Sequence, residues 1–216
     1  LDAAGDQPER LCFQLREKNR TDADQLAMAR ELVEQVHAHQ PTQSRSVSAS
    51  AKASTSHAPG SHRRATVIVN DRPDIALAAG ADGVHLGQDD LPVEQVRRLA
   101  GGALLVGVST HDADEARQAV EAGCDYCGVG AMFATATKPG IQPAGLYYLR
   151  HFVQTHPGQP HLAIGGIEPT NLAQVVQAGA RAVAVSRCVC GATDPGAVVS
   201  ALLTGWPEDE AANSMA

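Results

Sequence analysis

Three stretches of the chain share one pattern: "AAGADGVHLG" (78–87), "EAGCDYCGVG" (121–130) and "QAGARAVAVS" (177–186). Each carries the tail of an amphipathic helix closing on Ala-Gly, then a short turn, then an apolar run of strand length. Glycine at a helix C-terminus supplies the left-handed residue that ends it. An unbroken apolar run marks a strand buried on both faces. Such strands, alternating with amphipathic helices, build a parallel sheet covered by helices.

The pattern extends along the chain. Strands are expected at 11–15, 66–70, 83–87, 104–109, 126–130, 161–166 and 182–186. Helices are expected near 21–39, 73–79, 92–100, 112–122, 144–156, 169–178 and 195–204. Seven strand–helix units at short, regular spacing fit a seven-stranded doubly wound sheet, and fit a (β/α)8 TIM barrel better, because small polar groups recur where the strands end. Such a barrel lacks its first unit here. That unit would precede residue 11, and "LDAAGDQPER" reads as the end of its helix. The expected organisation is one domain over 1–204. Residues 41–65, rich in Ser, Ala and basic side chains without periodicity, read as a disordered insertion. Residues 205–216 read as a loose tail.

Composition excludes several functions. The net charge of −7 over 216 residues argues against a general nucleic-acid surface. Aromatic residues make up 3% of the chain, too few for base-stacking platforms. No apolar run is long enough to span a bilayer. The first residues resemble no signal peptide, so a cytoplasmic setting is expected. The five cysteines, Cys12, Cys124, Cys127, Cys188 and Cys190, are odd in number and do not suggest a disulfide framework. "CDYC" and "CVC" raise the question of zinc. Small apolar fillers in buried strands are the preferred reading, since there is no second CxxC and both pairs fall inside apolar runs.

Candidate chemistry gathers at the strand ends. In "CFQLREK", Phe13 and Leu15 share one face, while Gln14, Arg16 and Lys18 share the other. The polar face is either a strand end dissolving into a loop or a phosphate clamp, with Arg as a fork and Lys as a point charge. Asn70 and Asp71 end one strand; Gln88, Asp89 and Asp90 follow the next. Asp71, Asp89 and Asp90 have an ordinary use as helix caps, and Pro73 fits such a cap. Parallel neighbours lie ~5 Å apart, however, so carboxylates at both ends can share one hard cation. His85 points inward below them, with packing as the expected role. Ser109 is either a cap or a hydroxyl donor. Gly165 and Gly166 let an anion approach bare backbone. Ser186 and Arg187 end the last strand, near where such barrels often bind phosphate.

"FATATKPG" (133–140) almost lacks core-forming residues. It is a surface loop or a loop shaped to hold an anion.

Taken in order, "QLREK", "NDR", "GADGVHLGQDDLP", "GVSTH", "DYCGVGAMFATATKPG", "AIGGI" and "AVAVSR" resemble the thiamine phosphate synthase family over residues 11–204. The family usually has proline where Ala131 and Ala134 stand. The resemblance implies a (β/α)8 barrel and a transferase that joins a pyrimidine-methyl diphosphate to a thiazole ethyl phosphate, releasing pyrophosphate before the thiazole nitrogen attacks. It implies that Gln14, Arg16, Lys18, Asn70, Ser109 and Lys138 bind the pyrimidine diphosphate. Asp71 and Asp90 would hold Mg²⁺, and Thr135, Thr137, Gly166, Ser186 and Arg187 the thiazole phosphate. Arg16, Lys18 and Lys138 would stabilise the departing charge. The implied partners are phosphorylated small molecules, with no nucleic acid or membrane, and homo-oligomerisation is left open. Two further readings stand beside this one: a thiazole tautomerase-like relative, which would not need the metal pair, and an inactive truncated barrel that only binds a phosphorylated ligand.

Overall fold

The structure, a computed structural model, describes residues 10–38, 64–134 and 142–207. Among the described residues, seven strands form one sheet: β1 (Cys12–Leu15), β2 (Thr66–Asn70), β3 (Gly83–Leu86), β4 (Leu105–Thr110), β5 (Tyr126–Gly130), β6 (His161–Ile164) and β7 (Val183–Ala184). All six neighbouring pairs are parallel, and strand order follows the chain from β1 to β7. The helices are α1 (Asp22–Ala38), α2 (Pro73–Ala79), α3 (Val93–Ala100), α4 (Ala113–Glu121), α5 (Gly145–Thr155), α6 (Leu172–Gln177), α7 (Arg187–Cys190) and α8 (Pro195–Thr204). The chain is thus an α/β protein with a sequentially ordered parallel sheet, and β1 and β7 are its edges among the described residues. Also among those residues, no helix is long and apolar enough to cross a membrane.

The sequence repeat is a repeat of hydrogen bonds. Gly80, Gly123 and Gly179 all adopt positive φ, at 70°, 77° and 100°. In each unit the glycine N–H and the next N–H turn back onto the helix: Gly80 to Leu77 O and Ala81 to Ala76 O, Gly123 to Val120 O and Cys124 to Ala119 O, Gly179 to Val176 O and Ala180 to Val175 O. The chain leaves each helix in the same direction and enters the sheet in register. Two residues after the glycine, Asp82 and Asp125 do a second job. The Asp82 carboxylate accepts the Val67 N–H at 2.8 Å, and that of Asp125 accepts the Val106 N–H at 2.6 Å. Each satisfies a donor at the start of the neighbouring strand that the ladder leaves over.

Two faces of the sheet differ. Outward residues Val67, Val69, Val84, Leu86, Val106, Val108, Cys127, Val129 and Ala163 are buried. They pack beneath helix residues such as Ile75, Val96, Leu149, Phe152 and Val175, forming the core. Inward positions are the more open: Leu105 and Leu162 are half-buried, and Ile164 is 36% exposed. The inner face is filled by size complementarity. A Cβ on Gly107 would fall within 2.5 Å of the Tyr126 ring, and one on Gly83 would lie 2.7 Å from Ile68 Cδ1. The larger neighbour occupies what each glycine leaves empty.

Several expectations need correction. Cys188 and Cys190, expected as fillers in a buried strand, lie instead in the short helix α7 (Arg187–Cys190), and the strand expected at 182–186 shrinks to the two residues of β7. Of the five cysteines, only Cys127 is a buried strand residue. Cys12 is exposed on β1, Cys124 is buried in the turn before β5, Cys188 is half-buried and Cys190 is exposed. Residues 41–63 of the expected insertion lie outside the described residues, but Arg64 and Ala65 belong to the folded body. Arg64 donates to Asp82 at 2.6 Å, and Ala65 is 1% exposed. Trp206 packs against the core, so the expected tail starts too early. Residues 1–9 and 208–216 lie outside the description.

Asp82 carries a stability prediction. Burial pushes its carboxyl up, but Arg64, the Val67 N–H and His37 outweigh that and hold it below the ordinary 3.8. A carboxyl lowered on folding contributes stability above its unfolded value, and the contribution is lost as pH falls through the folded value. Asp82→Asn should therefore cost about 1–3 kcal/mol near neutrality and flatten the acid limb of stability against pH. Denaturant melts at pH 7 and pH 3 check this; equal slopes for both proteins would count against it.

Candidate active site

Because all strands run parallel, their C-terminal ends form one rim, where the described residues among those expected can be located. On β1 the alternation holds: Phe13 and Leu15 pack against the core, while Gln14, Arg16 and Lys18 are exposed on the other face. Asn70, the half-buried last residue of β2, stands in register with His85 of β3.

Asp71 follows at φ 62°, the left-handed region that Asp and Asn tolerate better than most side chains. Its N–H donates to His85 O at 2.8 Å, and the Arg72 N–H turns back to Asn70 O. This tight turn throws the Asp71 carboxylate over the rim, where Lys18 Nζ donates to it at 2.7 Å. Asp90 approaches from the loop after β3, its Oδ2 held by the Gly87 N–H at 2.6 Å. The two carboxyls meet, and they titrate as a pair. Burial pushes Asp71 up, but hydrogen bonds from Lys18 and Asp90 and the charges of Lys18 and Arg16 bring it below its ordinary value. Asp90 goes the other way: burial and the neighbouring Asp71 raise it against the Gly87 N–H and Lys18.

Neither acid is a helix cap. The residue preceding α2 is Arg72, that preceding α3 is Pro92, and neither helix receives a side-chain cap bond. Ser109 is not a cap either. Asp112 caps α4, accepting the N–H groups of Asp114 and Glu115. Ser109 Oγ lies instead 2.9 Å from His85 Nε2, while Gln88 donates to the Ser109 carbonyl at 2.6 Å.

His85 does more than pack. It is 6% exposed, with Nδ1 at 3.1 Å from the Tyr126 hydroxyl and Nε2 on Ser109. Tyr126 lies with its ring over Gly107, and its hydroxyl is pushed above its ordinary range by burial first and Cys12 second. A polar wall, Tyr126–His85–Ser109, thus runs up the inner face toward the acidic pair. The sequence placed His85 inward; Tyr126 shares that face through its register with Gly107.

Across the rim, Gly165 and Gly166 take φ 104° and 64°. A Cβ on Gly166 would lie 2.7 Å from Ala134 O and 2.9 Å from Phe133 Cβ, so the β5 loop rests directly on bare backbone. Phe133 N–H donates to Gly165 O, and Asn171, which sequence reasoning passed over, donates to Gly166 O at 2.9 Å. Gly166→Ala combines left-handed strain with a steric clash. It should cost about 1–3 kcal/mol and loosen the loop, readable by thermal unfolding; an unchanged melt would mean the 133–134 segment yields freely. Ser186 and Arg187 are exposed where β7 passes into α7. Thr135, Thr137 and Lys138 lie outside the described residues.

The pair of acids fits a hard divalent cation. Two facing carboxyls, one raised by the other, gain from a cation between them. Magnesium commonly takes one or two carboxylates and completes its shell with phosphate oxygens and water.

Comparison with known proteins adds an independent line. The family model described as thiamine monophosphate synthase matches residues 41–189. The thiamine-phosphate synthase of Gloeobacter violaceus is 54% identical over 132 residues, 61% of this chain and 38% of that protein. That of Thermosynechococcus vestitus is 50% identical over 146 residues, 68% of this chain and 41% of that one. The matched part of the chain thus spans about two fifths of the length of these relatives. The solved thiamine phosphate pyrophosphorylase from Pyrococcus furiosus superposes with a TM-score of 0.71 at 28% identity, over 94% of this chain and 87% of that one. With a model match over more than half its length, the chain belongs to the thiamine monophosphate synthase family.

Proposed function

We propose that the protein is a thiamine phosphate synthase acting on a pyrimidine-methyl diphosphate and a thiazole ethyl phosphate. The observation that carries the reading is the meeting of Asp71 and Asp90 beside Lys18, on a rim that also holds Gln14, Arg16 and Ser109. A site that only bound a phosphate monoester would have no use for two facing carboxyls. Family membership and the relatives' names support the same reading.

In this account Arg16, Lys18 and Lys138 bind the diphosphate and stabilise its charge as it departs. Preorganised cations act most where charge develops. Mg²⁺, held by Asp71 and Asp90 together with the diphosphate, would neutralise part of that charge. Gln14, Asn70 and Ser109 orient the pyrimidine end, and His85 fixes the Ser109 hydroxyl. The developing cation is then captured by the thiazole nitrogen, whose phosphate is held by Thr135, Thr137, Gly166, Ser186 and Arg187. No general base is required. The sheet edges at β1 and β7 are joined, in this proposal, by one further strand that completes a (β/α)8 barrel, and the setting is cytoplasmic.

Product analysis tests the proposal: thiamine phosphate should form only when both substrates are supplied. Isomerisation of the thiazole phosphate alone would indicate the tautomerase-like reading, and binding without turnover the inactive barrel.

A further inference from the structure

One motif is left over by the chemistry above. "CDYC" places Cys124 in the turn before β5 and Cys127 on β5's outer face. Their sulfurs lie 3.6 Å apart, 7% and 0% exposed. The surroundings are unequal. Gln159 Nε2 approaches Cys124 Sγ at 3.7 Å and donates to its carbonyl at 3.2 Å. Cys127 meets the Cys124 sulfur and is otherwise enclosed by core. The hydrogen bond from Cys127 outweighs burial and lowers the Cys124 thiol, whereas Cys127 is raised, first by that same bond and then by burial. Cys124, the less enclosed and more easily ionised of two buried thiols, with a second sulfur behind it, has the arrangement of an attacking and a resolving cysteine.

We propose that Cys124 and Cys127 are a redox modification site that closes to an internal disulfide on reaction with a small-molecule disulfide. The Cys124 thiolate attacks one sulfur of the oxidant, breaking its S–S bond and releasing one thiolate, which takes up a proton. Cys127 then attacks Cys124 Sγ as its proton passes to the departing thiolate, forming the protein disulfide and releasing the second thiol. Two protein thiols are oxidised by two electrons, and the oxidant is reduced to two thiols. The sulfurs must close to about 2.05 Å. The intervening residues are Asp125, which holds Arg97 and the start of β4, and Tyr126, which faces His85. Closure therefore bears on the inner wall.

The test uses the folded protein with oxidised glutathione as the probe, followed by alkylation and peptide mapping. Cys124 and Cys127 should lose their alkylation together, in a peptide lighter by two hydrogens, and regain it with dithiothreitol. Cys127→Ser should instead retain glutathione on Cys124, while Cys124→Ser should leave Cys127 unmodified. Full alkylation of both cysteines after oxidation would overturn the proposal. So would glutathione on Cys127 in the Cys124→Ser protein, or protection that a chelator rather than dithiothreitol removes, which would make the pair a metal site.

Discussion

Asp71→Asn should lose turnover by roughly 10²-fold or more, without unfolding. The magnitude follows from the charge it removes: metal-assisted stabilisation of a transition state is worth several kcal/mol, and each 1.4 kcal/mol is tenfold. The variant isolates that charge. Asn tolerates the left-handed backbone at φ 62° at least as well as Asp, so the turn over Asn70 survives. Two further effects mark the residue as more than structural. The Mg²⁺ concentration for half-maximal activity should rise, and Asp90, freed of a like charge, should titrate lower than in the parent protein. Asp90→Asn should show the same rise in Mg²⁺ requirement. A normal Mg²⁺ dependence in both variants would remove the pair from the chemistry.

Lys138→Ala should lower kcat by roughly 10²–10³-fold, the range for removing one preorganised charge-stabilising group. The role assigned to Lys138 rests on the motif "TATKPG", since the residue lies outside the described part of the structure. If Lys138 meets the departing pyrophosphate, its charge matters most in the transition state, so the loss falls on kcat rather than on uniform binding. Lys138→Met keeps most of the stem and should be nearly as damaging, which separates charge from packing. The thiazole phosphate should still bind through Thr135, Thr137 and Gly166. Normal turnover of Lys138→Ala at saturating substrate would return the stretch to an ordinary surface loop.

How legible this was in the sequence depends on which force set each feature. The parallel sheet was readable because Ala-Gly endings and apolar runs are local signals, and Gly80, Gly123 and Gly179 all take the left-handed turn they suggested. The facing of Gln14, Arg16 and Lys18 followed from strand alternation alone. Helix α7 was missed because four residues carry no period, and the apolar setting of Cys188 and Cys190 made them read as strand fillers. The role of Asp82 and Asp125 was not legible, because the N–H each satisfies belongs to a different strand. The same applies at the rim. Alternation turned His85 inward, yet Ser109 and Tyr126, 24 and 41 residues away, become its partners only through the register of β3, β4 and β5. Whether Asp71 capped a helix or met Asp90 was undecidable from spacing, since both uses place an acid after a strand.

The measurement that bears most directly on the account is pyrophosphate release with each substrate supplied separately and together, with and without Mg²⁺. The account predicts sustained release only when the pyrimidine diphosphate, the thiazole phosphate and Mg²⁺ are all present, with one thiamine phosphate formed for each pyrophosphate. Turnover that persists undiminished without Mg²⁺, or no release with everything supplied, would contradict it.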